Sequence, residues 1–252
     1  MGLTKGVAVA QSPITRSVGE IHECSEETRL KVLHAVRWFK DLSPAEIAEL
    51  SKGITSHAWH EGEYIQVEGD SADALHVIAQ GRTKVEKVTV EGSTRIVDIA
   101  VAGDLVGVLP QLGERSYTDS VVTLQTTCAL RIDADRFRQI MMTYPSVALN
   151  VVDDLAGKLA RSRTSETSGG QPVPNRLAGV LLMLMSKTGR RDKGGILIDV
   201  PLSRTDLAAM TGSTPESVSR VMSKWKADGL IESGRRWTRI LDPVAIRDLA
   251  DS

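Results

Sequence analysis

The spacing of apolar positions changes several times along the chain. Between residues 25 and 52, Leu30, Val32, Leu33, Val36 and Phe39 predict a short helix, and 43–50 predicts another. In the second, Ser43 stands at the cap, Pro44 at the first position and Glu46 at the third. From His57 to Ile132 the helical period gives way to short β-prone runs at 64–67, 74–78, 83–88, 95–99 and 128–132. Gly62, Gly69, Asp70, Gly81, Gly92, Gly103 and Asp104 separate them. Turn residues at that interval predict antiparallel strands in a small β-roll or jelly roll.

Helical spacing then returns. Residues 133–140 predict a short helix with Asp133 at its cap, ending before Pro145. A longer helix over 146–166 carries Ala148, Val152, Leu155 and Leu159 at four- and three-residue steps. That seam suits pairing with a second copy, although a helix lying on its own β-roll would need the same stripe. Residues 165–174 are small and polar, with a Gly pair and two prolines, and predict a hinge. Beyond it, 176–185 predicts a largely buried helix.

The most informative pattern lies at 203–225. Ser203 caps one helix with Asp206 at the third position, Leu207 and Met210 face inward, and Gly212 permits a turn. Thr214 caps a second helix with Pro215 first. In that helix Val218, Val221, Met222 and Trp225 form an apolar stripe, opposite Glu216, Ser219, Arg220 and Ser223. A carboxylate, a hydroxyl and a guanidinium on one face can accept from cytosine N4 and donate to guanine or phosphate. After a stop at Gly229, residues 230–241 predict a basic hairpin around Gly234, with Arg235, Arg236 and Arg239 available to phosphates. The pattern predicts a winged helix-turn-helix, against a packed α+β tail with solvated charges, and its expected DNA-contacting set is Ser203, Thr214, Glu216, Ser217, Ser219, Arg220, Lys224, Arg235, Arg236 and Arg239.

The expected organisation is α+β: a mobile arm (1–24), a β-roll sensor with flanking helices (25–145), a dimerisation helix (146–168), a hinge (169–174) and the winged helix-turn-helix (175–252). Net charge is −1, yet residues 171–252 hold 13 Lys and Arg against 9 Asp and Glu, so the positive balance lies with the reader. There is no membrane-spanning apolar run and no leader pattern, and the two cysteines, Cys24 and Cys128, make neither a disulfide framework nor a zinc ribbon. The expected location is cytoplasmic. Cys24, in a polar segment, reads as exposed and oxidisable, and Cys128, inside a strand, as core. With no phosphate loop, nucleophile elbow or paired metal motif, the chain is not expected to be an enzyme or to hold a metal through a sequence motif.

The order of helical lead, glycine-punctuated roll, long helix and winged helix-turn-helix resembles the CRP/FNR superfamily of bacterial transcription regulators. The most specific match is Glu216-Ser217-Val218-Ser219-Arg220, which resembles the recognition helix of the FNR branch. The resemblance implies a homodimer on double-stranded DNA, a TTGAT-type inverted repeat read by Glu216, Ser219 and Arg220, and RNA polymerase as partner. Pro215 stands where cyclic-AMP-binding relatives carry Arg. In the sensor, those relatives hold the nucleotide with a Gly-Glu-Leu turn and an Arg-Ser pair. Here the turn is Gly107-Val108-Leu109, without the carboxylate, and the pair is either Arg115-Ser116 or, in a gapless register, Tyr117-Thr118. Cyclic AMP is therefore disfavoured. Two cysteines cannot supply the four thiolates of an FNR iron-sulfur cluster. Haem stays open on family precedent, with His22, His34, His57, His60, His76, Cys24 and Cys128 as axial candidates. The alternative function is a nucleotide- or haem-binding regulatory module whose wing contacts protein instead of DNA.

Overall fold

The computed structural model describes residues 20–21, 24–107, 115–166 and 170–252, with side chains for all but 20–21 and 158–166. Val108, Leu109, His22 and the Leu159 side chain lie outside the described set. The fold is α+β. The chain opens with strand β1 (Glu20–Ile21), helix α1 (Glu26–Ala35), a single 3-10 turn (Arg37–Phe39) and α2 (Pro44–Ser51). The roll follows as β2 (Thr55–Trp59), β3 (Tyr64–Gln66), β4 (Ala74–Gln80), β5 (Arg82–Val88), β6 (Thr94–Val101), β7 (Leu105–Val106), β8 (Ser120–Thr123) and β9 (Thr127–Asp133). Its strands form two antiparallel sheets, in the orders β1-β2-β9-β4-β7 and β3-β8-β5-β6.

Six residues of β4 are buried, because both of its faces are covered. Leu75 and Val77 pack with Leu33, Ile47, Leu130 and Phe137 against the helices, whereas Ile78 packs with Trp59, Val85 and Val121 inside the roll. The Phe137 ring centroid lies 5.6 Å from that of Trp38 and 6.4 Å from that of Phe39, closing the helical side. Gly81, at φ 101°, joins β4 to β5 where a Cβ would stand 2.7 Å from the Thr127 backbone. Within the expected arm, Glu20–Ile21 pair with Ala58 and His57 at the edge of a sheet.

Helix α3 (Ala134–Thr143) ends before Pro145, and α4 (Pro145–Glu166) begins there. Two different faces of α4 are apolar. Val147 and Val151 pack on the protein's own core, and between them Asn150 donates to Trp38 O (3.2 Å) and to Asp41 Oδ2 (2.8 Å). Leu149, Val152 and Leu155 stay exposed on the other side, so self-packing does not account for Val152 and Leu155. Ala148 is half-buried, and Leu149 takes the place the sequence assigned to it.

The C-terminal half contains α5 (Val173–Thr188), β10 (Gly189–Asp192), β11 (Gly195–Ile198), α6 (Arg204–Thr211), α7 (Pro215–Ala227), β12 (Ile231–Gly234), β13 (Trp237–Ile240) and α8 (Pro243–Asp251). The wing is a four-stranded sheet, β10-β11-β13-β12, larger than the expected hairpin. Its turn is Arg235-Arg236, with Arg236 at φ 68°, and Gly234 is the last residue of its strand, paired with Trp237. Leu177, Leu181, Leu184, Leu207, Val218, Met222 and Trp225 make the second core, which Ile96, Ile99 and Leu124 of the roll complete.

Candidate DNA-binding surface

The helix-turn-helix is built by local capping. The Ser203 N–H donates to Asp206 Oδ2 (2.8 Å), and Ser203 Oγ accepts from Asp206 N–H (3.1 Å), which closes the box at the start of α6. Gly212 ends α6 in the left-handed region, at φ 59°. Thr214 Oγ1 then accepts from Ser217 N–H (3.2 Å) to open α7. Arg176 of α5 holds the turn between the helices, donating from Nε to Thr211 O (2.7 Å). That clamp joins residues 35 positions apart, and the sequence gives no local sign of it.

Helix α7 presents the two faces the spacing predicts. Val218, Met222 and Trp225 are at most 3% exposed. Glu216, Arg220, Ser223 and Lys224 are exposed, and Ser217 and Ser219 are half-buried beside them. A carboxylate, three hydroxyls and two cations thus share one solvent-facing ridge on a helix fixed from behind, which is the arrangement base and phosphate readout requires.

The wing arginines divide. Arg235 is exposed at the turn. Arg236 is turned toward the roll, where Nη2 donates to Leu124 O (2.6 Å) and pairs with Glu61 Oε1 (2.8 Å). Arg239 is buried at 8% exposure, pairing with Asp192 Oδ2 (2.7 Å) and with Glu232, its guanidinium 5.2 Å from the Trp237 ring centroid. The hydrogen bond from Arg239 holds the Asp192 carboxyl below its usual pKa. Arg239 is therefore corrected from a phosphate contact to a strut of the wing sheet: its charge is spent on neighbours 47 and 7 positions away. Arg204 ties α6 to the wing by donating to Ser233 Oγ (3.3 Å).

Two lysines join the reader to the roll. Lys84 of β5 bridges Glu86 (2.6 Å) and Asp206 (3.1 Å), so the carboxylate that caps α6 also binds the sensor. Burial works against the Lys84 charge, but the two carboxylates outweigh it and leave its pKa raised. Burial likewise works against the Asp206 carboxylate, but the Ser203 hydrogen bonds and Lys84 leave its pKa lowered. Lys187, at the end of α5, donates to Asp98 Oδ1 (2.7 Å) and Ile99 O (2.8 Å) and lies 3.4 Å from Asp104 Oδ2. A cleft of 680 Å³ is lined by Glu61, Lys84, Arg204, Asp206 and Arg236 among others, and so takes in the Lys84–Asp206 and Arg236–Glu61 contacts.

The expected effector segment is less open. Gly107 sits at φ 118° with the Ala74 and Leu75 backbone against it. Arg115 and Ser116 are exposed, and Ser116 bridges to Ser71. Tyr117 is buried. Its hydroxyl donates to Ala74 O (2.9 Å), and burial with Asp73 nearby pushes its pKa up to about 12. Thr118 Oγ1 donates to Asp119 Oδ2 (3.1 Å), and Asp119 Oδ1 accepts from Gln66 (2.9 Å). Tyr117 and Thr118, expected as ligand contacts, each donate a hydroxyl hydrogen bond within the roll. Among the haem candidates, His34 and His60 are exposed, and His57 is half-buried with Nε2 3.0 Å from Thr55 Oγ1. His76 is buried edge-on to Trp59, its pKa lowered to about 3 by burial and then by Arg131 and His57. The described residues hold no group of three or more His, Cys, Asp or Glu arranged for a metal ion.

A β-roll sensor domain joined through a long helix to a winged helix-turn-helix defines a DNA-binding regulator. The Cyclic nucleotide-binding domain family matches residues 57–144, and the Crp-like helix-turn-helix domain family matches 175–249. The chain belongs to the CRP/FNR superfamily of bacterial transcription regulators. It is 24% identical over 194 residues to the CRP-like cAMP-activated global transcriptional regulator of Mycobacterium tuberculosis, covering 77% of this chain and 87% of that one. It is 27% identical over 216 residues to the probable transcriptional regulator flp of Lacticaseibacillus casei, covering 84% and 94%. Among solved structures it resembles FixK2 of Bradyrhizobium japonicum, with TM-score 0.69, 21% identity and coverage of 78% and 96%. Members of this family bind DNA as dimers and are not enzymes. Among the described residues no helix is long and apolar enough to cross a membrane.

Proposed function

We propose that the protein is a homodimeric, sequence-specific transcription regulator that reads a TTGAT-type inverted repeat and works with RNA polymerase. The observation that carries this reading is the ridge of α7, where Glu216, Ser219, Arg220 and Lys224 face solvent or its margin while Val218, Met222 and Trp225 fix the helix from below. Glu216 accepts from a base amino group, Arg220 donates to a purine edge, and Ser217, Lys224, Ser203 and Thr214 set the register on phosphates. Leu149, Val152 and Leu155 on α4 supply an exposed seam for a second copy, and a two-fold dimer requires half-sites about one helical turn, roughly 34 Å, apart.

In the docked arrangement the wing reaches the roll through Arg236. Engagement of phosphate by Arg236 requires it to leave Glu61, so the sensor acts on the reader through that contact and through Lys84.

Fluorescence anisotropy with a TTGAT palindrome and a scrambled duplex of equal composition tests the reading. Specific binding that falls steeply with rising salt is expected. Equal affinity for both duplexes at physiological salt overturns it.

A further inference from the structure

The only two cysteines of the chain meet. Cys24 Sγ and Cys128 Sγ lie 3.2 Å apart although 104 positions separate them. The meeting is fixed by backbone. The Cys24 N–H donates to Ser56 Oγ (3.2 Å), β1 runs along β2, and Ala58 of β2 stands opposite Cys128 of β9. Cys24 is thereby held beside β2, with its sulfur against that of Cys128 on the next strand. Closing the gap to a bond of about 2.0 Å requires side-chain rotation and a small backbone adjustment at the edge of the sheet.

We propose that Cys24 and Cys128 are a reversible dithiol–disulfide site that takes a hydroperoxide as its two-electron oxidant and, when oxidised, staples the N-terminal segment to β9. The half-buried Cys24 is the sulfur an oxidant reaches first, and Cys128, 8% exposed, resolves it. The Cys24 thiol attacks the peroxide O–O bond, giving a sulfenic acid and releasing water or an alcohol. The Cys128 thiol then attacks the sulfenic sulfur, forming the S–S bond and releasing a second water. Two thiols are oxidised and one peroxide is reduced, with both protons leaving in the products. Burial and the neighbouring Cys24 push the Cys128 thiol up to about 12, so Cys128 is inert to peroxide on its own and reacts only within the pair. The site lies in the same core that receives Val147 and Val151 of α4. None of this depends on what α7 binds.

The test uses the reduced full chain treated with one molar equivalent of hydrogen peroxide. The expected result is loss of both thiols, a mass lower by two hydrogens, and a linked pair of peptides containing Cys24 and Cys128. The product should run as a single chain on a non-reducing denaturing gel, and dithiothreitol should restore both thiols. In Cys24→Ser the Cys128 thiol should react about tenfold or more slowly than in the parent. In Cys128→Ser, dimedone should trap a sulfenic acid on Cys24. Survival of both thiols, a disulfide between two chains, or Cys24 over-oxidised in the parent with Cys128 still free would each overturn the proposal. Cys24→Ser lies at a half-buried position, so it keeps the test decisive if Cys128→Ser does not fold.

Discussion

The recognition helix and the sensor both carry polar side chains placed, by sequence pattern, where ligands bind, and the fold treats them in opposite ways. On α7 the polar residues are turned outward: Glu216, Arg220 and Lys224 are exposed. In the roll and the wing Arg115, Ser116 and Arg235 are also exposed, but four others are turned inward and spent. Tyr117 is bonded to the Ala74 backbone, Thr118 to Asp119, Arg236 to Glu61 and Arg239 to Asp192. Residue type and spacing show that a polar group is available to the chain. Only its three-dimensional neighbours show whether it is available to a ligand.

The contrast can be broken most severely from beneath α7. Trp225→Ala removes the anchor of the recognition helix and should cost about 3–5 kcal/mol of stability, read by chemical denaturation. A loss of DNA binding with unchanged stability would mean that Trp225 belongs to the ridge. A second strain falls on His76. Its pKa is depressed to about 3 from 6.5, so the unfolded chain binds the extra proton first. The stability it confers is whole above about pH 6.5 and is lost as pH falls toward 3. Between pH 7 and 5 that amounts to about 2 kcal/mol, and His76→Gln should flatten the profile over this interval.

At the ridge itself, Arg220→Ala should cost about 1–3 kcal/mol in binding the TTGAT duplex and narrow the gap to the scrambled one, with little change in melting temperature. Tyr117→Phe should cost about 1 kcal/mol of stability, because it strips the Ala74 carbonyl of its donor. An accompanying change in effector response would return Tyr117 to the ligand side of the comparison. The smallest effect is expected at the wing tip, where Glu61→Gln weakens a partly exposed ion pair worth under about 1 kcal/mol. A gain in DNA affinity of up to about fivefold should follow, from an arginine released to phosphate.

What the sequence makes legible is local. The capping box at Ser203, the Gly212 turn, the Thr214 cap and the stripe of α7 are all set within a few residues, and each stands in the structure as spaced. Strands rich in β-branched residues between glycines were legible for the same reason. The unread parts depend on distant partners. β10 begins Gly-Arg-Arg-Asp, with no apolar alternation, and becomes a strand because β11 pairs with it. Arg239 reads as a free cation until Asp192 and Glu232 are placed beside it. The seam of α4 reads as one stripe, but the helix carries two apolar faces, one packed on the roll's helical core through Val147 and Val151 and one exposed. Nothing local to Cys24 points to Cys128.

Helix α5 leaves the linker near Pro172 and is held at its other end by Lys187 on Asp98 and Ile99. Sixteen residues of helix span about 24 Å, so a tilt of about 10° at the linker would carry the far end about 4 Å. That displacement is larger than the 2.7 Å between Lys187 Nζ and Asp98 Oδ1. The Lys187 end therefore works as one catch among several on a lever, alongside Lys84 on Asp206, Arg236 on Glu61 and the core shared with Ile96 and Ile99.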